Sequence, residues 1–158
     1  MPSRKTLRLQ NFDYSSNGCY FITLCTKDKK PLLSTVGAST ARPQEPTLTK
    51  CGTVVDCAIQ RIPVVYPSVR VDKYVIMPNH IHLLISIDQE DGRAGLAPTI
   101  SRIVQQTKGF ATKQIGQSIW QKSFYDEIIR NDAHYLKIWN YIDTNPFRWT
   151  EDEYYLPD

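Results

Sequence analysis

The sequence predicts an α+β sandwich, with helices laid over a largely antiparallel sheet in the split βαβ, ferredoxin-like arrangement. Short runs rich in aromatic and β-branched residues read as strands, and longer stretches with apolar residues at helical spacing read as helices. The two kinds interleave as strand, helix, strand, strand, helix, strand, helix, and some of the strands can pair as neighbours. A chain of 158 residues, 41% hydrophobic and 22% charged, is expected to form one domain over its whole length, 1–158.

Residues 19–26 (Cys-Tyr-Phe-Ile-Thr-Leu-Cys-Thr) form the first expected strand, with Gly18 punctuating its start. Pro31, Gly37, Pro43 and Pro46 then mark a turn or short hairpin and a mobile loop around 36–47. From about residue 49 to 62, Val54, Val55, Ala58, Ile59 and Ile62 recur at helical spacing, and Pro63 is expected to stop that helix. Residues 69–77 and 80–87 read as strands interrupted by Pro78 and Asn79, either a hairpin or one bulged strand. After a polar stretch, Ile100, Ile103, Val104, Thr107, Ala111 and Ile115 place one apolar stripe on a helix over 99–117. A short strand is expected within 123–129. A last helix is capped by Asn131 or Asp132 and ends near Thr144, because the residue before Pro146 is disfavoured in the α region.

No apolar run reaches the roughly 18 residues that a membrane span needs. Residues 1–10 are basic and polar with no apolar stretch behind them, so no secretory signal and a cytoplasmic location are expected. Cys19, Cys25, Cys51 and Cys57 form no C-x-x-C pair and read as reduced, mostly packed thiols. A net charge of +3 does not by itself argue for a nucleic-acid partner. Acids cluster at Asp88, Glu90 and Asp91 and again at Glu151, Asp152 and Glu153, which leaves the remaining surface more basic.

The most informative stretch is Tyr74 to Ile85. Residues two apart on a strand share a face, so His80 and His82 project side by side while Ile81, Leu83, Ile85 and Ile87 enter the core. Two imidazoles at that spacing reach one metal ion, although the same pattern also occurs as plain polar surface. Two of the chain's three histidines sit here. A catalytic Mg²⁺ or Mn²⁺ site wants a third ligand, usually oxygen, with room for water and phosphate.

The last helix offers that ligand and a nucleophile. Tyr135, Ile138, Trp139 and Ile142 share its core-facing stripe; Tyr141 lies off it, with Asn145 four residues on. Lys137 and His134 lie one and two turns earlier on the same flank. Tyrosine, with a pKa near 10, is a poor nucleophile at neutral pH unless a cation stabilises charge on the phosphate. Its attack stores the broken bond as a phosphotyrosine, which a DNA 3′ hydroxyl reverses. Most of the nine tyrosines must be packing residues, and Asn145 before Pro146 also serves as an ordinary helix stop.

Three blocks, taken in order, resemble the single-tyrosine HUH transposases, and within them the REP-associated tyrosine transposases. They are His80-Ile81-His82 preceded by Val75-Ile-Met-Pro-Asn79; Trp120-Gln121, Tyr125-Asp-Glu-Ile-Ile-Arg130, Tyr141-Ile-Asp-Thr-Asn-Pro146 and Trp149; and, more weakly, Asp13-Tyr14 with Gly18-Cys-Tyr-Phe-Ile-Thr23. The resemblance implies a ferredoxin-like fold with the HUH strand central in the sheet. It implies Mg²⁺ or Mn²⁺ on His80 and His82, Asn145 as the third polar ligand, and Tyr141 as the nucleophile that forms a 5′-phosphotyrosine. It also implies a single-stranded, hairpin-forming DNA partner and a monomer or homodimer. With no long basic extension after the tyrosine block in the sequence, target specificity is expected to rest on the core domain. Arg102, Lys108, Lys113, Lys122, Arg130 and Arg148 are candidates for phosphate contacts. Trp120 is either a stacking platform for an unpaired base or a buried core residue. A DNA-binding relative without catalysis and a metallonuclease that uses water are the alternatives.

Overall fold

A computed structural model describes residues 17–37, 45–88 and 98–157. Its centre is a four-stranded antiparallel sheet built from β1 (Asn17–Cys25), β4 (Val69–Ile76), β5 (His80–Asp88) and β6 (Tyr125–Ile128), in spatial order β4-β5-β1-β6. The strand β5, which carries both His80 and His82, is therefore interior, paired on both sides. That is the ferredoxin-like order expected from the sequence, with β5 threaded between β1 and β4. Helix α1 (Lys50–Val65) joins β1 to β4, and helix α2 (Ile100–Ile115) joins β5 to β6. A two-stranded ribbon, β2 (Ser34–Thr35) with β3 (Thr47–Leu48), lies before α1; the intervening part of the expected mobile loop, 38–44, falls outside the described residues.

The alternation along β1 and β5 decides which side each helix covers. Ile22 and Leu24, with Ile81, Leu83, Ile85 and Ile87, pack against Val55, Ile59 and Ile62 of α1 and Ile103, Val104 and Ala111 of α2. The opposite face carries Phe21 and Leu84, covered by Ile138 and Ile142 of helix α3 (Asp132–Thr144). Each of the Val, Leu, Ile and Phe side chains among these contributes roughly 1.5–3 kcal/mol on full burial, so both helical layers are held by the same two central strands.

Side-chain caps set the helix starts. The Thr49 and Thr99 hydroxyls accept from the Gly52 and Arg102 amides at 3.0 and 3.1 Å, and Asn131 Oδ1 accepts from the His134 amide at 2.8 Å. Two expectations about proline need correction. Pro63 does not stop α1 but lies within its last turn; α1 continues because Ile62 stays packed and its carbonyl accepts from the Tyr66 amide at 2.8 Å. Asn145 precedes Pro146 yet keeps right-handed helical angles (φ −56°, ψ −45°). There α3 passes directly into a 3₁₀ segment, Asn145–Glu151, with the buried Asn145 tied to Asp152. The 69–87 region is a hairpin: Met77 N–H donates to the His80 carbonyl at 2.8 Å across the Pro78-Asn79 turn. Among the described residues no helix is long and apolar enough to cross a membrane.

Candidate active site

His80 and His82 lie on the β5 face covered by α3, with ring centroids 4.6 Å apart. Both are buried, at 0% and 1% exposure. The Asn79 side chain settles the tautomer of His80. Its Nδ2 donates to the Tyr154 carbonyl at 2.7 Å and the Lys29 carbonyl at 3.3 Å, so its Oδ1 accepts from His80 Nδ1–H at 2.8 Å. With the proton on Nδ1, the neutral ring presents a bare lone pair at Nε2. Thr23 Oγ1 sits 2.8 Å from His82 Nδ1, a hydrogen bond that fixes the orientation of the second ring. Neither Nε2 has a hydrogen-bond partner. Burial lowers the His80 pKa to about 4, against the opposing pull of Asp152 and the Asn145 amide. Burial, and then the neighbouring His80, lowers His82 well below its ordinary value.

Asn145 is the third buried group here with an orphaned atom. Its Nδ2 donates to Asp152 Oδ2 at 2.8 Å, and its Oδ1 has no partner. Two imidazole nitrogens and an amide oxygen, all electron-pair donors and all unpartnered, match what a hard or borderline divalent cation takes. Among the described residues no group of three or more His, Cys, Asp and Glu side chains is already gathered as for a metal, and the Asn145 amide oxygen adds a donor of another kind.

Tyr141 stands at the mouth of this group. It is 39% exposed, its ring centroid lies 5.2 Å from that of His82, and its edge meets Phe21 at 6.1 Å. Its hydroxyl is pushed up to about 12 by partial burial and by the charges of Asp152 and Glu153. Tyr135, on the inner stripe, is instead tied to Asp72 through its hydroxyl at 2.9 Å. Tyr141 opens on a cleft of about 470 Å³ that is also lined by Phe21, His82, His134, Lys137 and Tyr154.

The proposed DNA contacts are scattered. Arg102 and Lys113 are exposed but sit on α2, which covers the sheet face opposite the histidines. Lys122, Arg130 and Arg148 are exposed. Lys108 is half-buried: its ammonium donates to the Gln121 and Ser123 carbonyls at 2.8 and 3.1 Å, and burial lowers its pKa. Trp120 is corrected as a stacking platform, because it is 6% exposed within the α1–α2 core. Asp152 and Tyr154 were missed from the sequence. Asp152 reads there as part of a solvated acidic cluster, yet its side chain is 2% exposed, and Tyr154 stacks on His80 at 4.4 Å. The Pro-Asn pair just before His80 was the available signal for Asn79, which sequence reading assigns only to a turn.

No family model matches the chain. A Haemophilus influenzae protein described as uncharacterized is 34% identical to it over 173 aligned positions, covering 97% of this chain and 93% of that protein. The two proteins belong to one family. Among solved structures, a REP-associated tyrosine transposase bound to a REP hairpin is similar with a TM-score of 0.62 and 21% identity, over 90% of this chain and 74% of that one. At that identity the likeness establishes the fold: this chain has the architecture of that transposase.

Proposed function

We propose that the protein cleaves and rejoins single-stranded DNA through a covalent 5′-phosphotyrosine on Tyr141, using Mg²⁺ or Mn²⁺ held by His80, His82 and Asn145. The observation that supports this reading is a set of three buried side chains with unpartnered electron-pair donors, one of which, His82, lines the same cleft as the accessible phenol of Tyr141. A hairpin substrate is proposed from the neighbour of like fold, which is bound to one.

In the reaction the Tyr141 oxygen attacks phosphorus, its proton departs, the bond from phosphorus to the 3′ oxygen breaks, and that oxygen takes up a proton. Attack by a DNA 3′ hydroxyl on the phosphotyrosine runs the exchange in reverse, so the phosphodiester is conserved without an external energy source. With its pKa near 12, only about one Tyr141 hydroxyl in 10⁵ is ionised at pH 7. When bound, the divalent cation supplies Lewis-acid stabilisation of the charge developing on the phosphate. The lining of the cleft supports that role, because it sets the Glu153 carboxylate beside the Lys137 ammonium and leaves little positive charge for a bare phosphate. Asn79 holds the His80 ring in the tautomer that keeps Nε2 free, and Thr23 anchors the His82 ring through Nδ1. His134 is not the base that takes the tyrosine proton. Its Nδ1 accepts from the Arg130 amide at 3.1 Å, so its Nε2–H is committed to Glu127 at 2.6 Å.

The test is incubation with single-stranded hairpin DNA and Mn²⁺, followed by denaturing electrophoresis. A protein–DNA adduct that requires Mn²⁺ and disappears in Tyr141→Phe is expected. Binding without an adduct would point to a non-catalytic DNA-binding protein. Cleavage that survives Tyr141→Phe would point to a metallonuclease using water.

A further inference from the structure

We propose that Asp152, from the segment that follows the tyrosine helix, is a fourth member of the cation site and supplies its negative charge. This deepens the reading above and rests on it. His80, His82 and Asn145 are all neutral donors, and Mg²⁺ in particular is held in proteins through carboxylates. Asp152 is the carboxylate at this cluster. Its Oδ2 lies 3.9 Å from His80 Nε2 and accepts from Asn145 Nδ2 at 2.8 Å, and its Oδ1 accepts from the Tyr154 amide at 2.8 Å.

Two features of this arrangement ask for a cation. First, the Asp152 side chain is 2% exposed, and among the described residues its only side-chain ion-pair partner is His80. A buried carboxylate with no cation is costly. Second, His80 Nδ1 carries the ring proton, as its bond to Asn79 Oδ1 requires, so Nε2 and Asp152 Oδ2 face each other at 3.9 Å as two lone-pair bearers. Two ligands of one small divalent ion, each at about 2.1 Å, lie about 3.0 Å apart as neighbours and about 4.2 Å apart when opposite, so Asp152 reaches an ion shared with His80 by closing this gap by about 1 Å. The placement is built. Asn79 Nδ2 ties the Tyr154 carbonyl to the β4–β5 turn at 2.7 Å, and the Tyr154 ring stacks on His80 at 4.4 Å. The chain is thereby turned back so that Asp152 faces the histidines.

The experiment is a Mn²⁺ titration of the full chain without DNA, read by loss of the free-ion electron paramagnetic resonance signal. It compares the unchanged protein with Asp152→Asn, Asn145→Ala and the double variant. The unchanged protein is expected to bind one Mn²⁺, and Asp152→Asn to weaken binding at least tenfold. The melting temperature of the metal-free Asp152→Asn protein should stay the same or rise, since the substitution removes an uncompensated charge. Asp152 also orients Asn145, and the double variant separates the two roles. If Asp152 acts on the ion itself, Asp152→Asn weakens binding further in the Asn145→Ala background; no further weakening there overturns the proposal. Asp152→Asn binding Mn²⁺ as the unchanged protein does also overturns it, while leaving the histidine–tyrosine reading intact. If the unchanged protein binds no Mn²⁺, both readings fall together. If Asp152→Asn does not fold, Asp152→Ala and Asp152→Glu are titrated instead. Glutamate, which keeps the charge, is then expected to bind more tightly than alanine, and equal affinities overturn the proposal.

Discussion

Replacing Tyr141 by phenylalanine and by alanine separates chemistry from packing. The Tyr141 ring contributes edge and tilted contacts to Phe21 and His82, at centroid distances of 6.1 and 5.2 Å, and no hydrogen bond of its hydroxyl occurs among the described residues. Phenylalanine keeps both ring contacts and removes one oxygen at the mouth of the cleft, so stability should change by no more than about 0.5 kcal/mol. Alanine loses both contacts. At about 0.5–1.5 kcal/mol for each aromatic pair that is about 1–3 kcal/mol, or a fall in melting temperature of roughly 2–12 °C for a domain of this size. Adduct formation should disappear in both variants, since losing a nucleophile typically costs on the order of 10⁴-fold or more. Thermal melting followed by circular dichroism gives one axis, and the yield of the covalent protein–DNA species on a denaturing gel gives the other. The reasoning is refuted if Tyr141→Phe melts as low as Tyr141→Ala, which would make the hydroxyl structural. Adduct formation at the normal rate in Tyr141→Phe would refute it equally.

Three further outcomes are expected. In the metal-free protein both site histidines titrate below the unfolded value of about 6.5, so the unfolded chain binds more protons as the solution is acidified. Their contribution is fully present above pH 6.5 and is lost as the pH falls toward 4, by about 3 kcal/mol for His80 alone; urea unfolding in EDTA that shows equal stability at pH 7 and pH 4.5 would contradict this. Gly52→Ala should cost about 3 kcal/mol or prevent folding, because a Cβ there would meet the Leu33 carbonyl oxygen at 1.9 Å. Gly109→Ala, with nothing within 4 Å, should instead gain about 0.5–1 kcal/mol; denaturant midpoints that do not separate the two would be inconsistent with this packing. Burial raises the Cys19 thiol to about 11, so thiolate is scarce at pH 8 and iodoacetamide should label exposed Cys57 well before it, roughly 100-fold faster. Peptide mass mapping over time checks the order, and equal labelling rates would exclude the shielding of half-buried Cys19.

Much of the architecture and part of the site were legible in the chain because they depend on local periodicity. Alternation along β5 placed Ile81, Leu83, Ile85 and Ile87 in one core and both histidines on the other face. Helical spacing placed Ile138 and Ile142 inward and left Tyr141 off the stripe. The same logic failed wherever an outcome depended on a partner far along the chain. Lys108 reads as a free cation until its ammonium meets the Gln121 and Ser123 carbonyls. Trp120 admits two readings until the α1–α2 layer closes over it. Pro63 and the residue before Pro146 obey local rules until packing overrides them.

The amino-acid order by itself determined which residues share a face of a strand or a helix, since a face follows from a repeat of two or about three and a half residues. Only the tertiary structure decided that Asn145 and Asp152 come to rest against His80, that Asn79 orients that ring, and that α2 lies behind the sheet while α3 lies before the histidines. Asp152 stands 72 positions from His80. No periodicity spans that distance, and burial, which turned this acid from a surface charge into a candidate ligand, is a property of the closed fold.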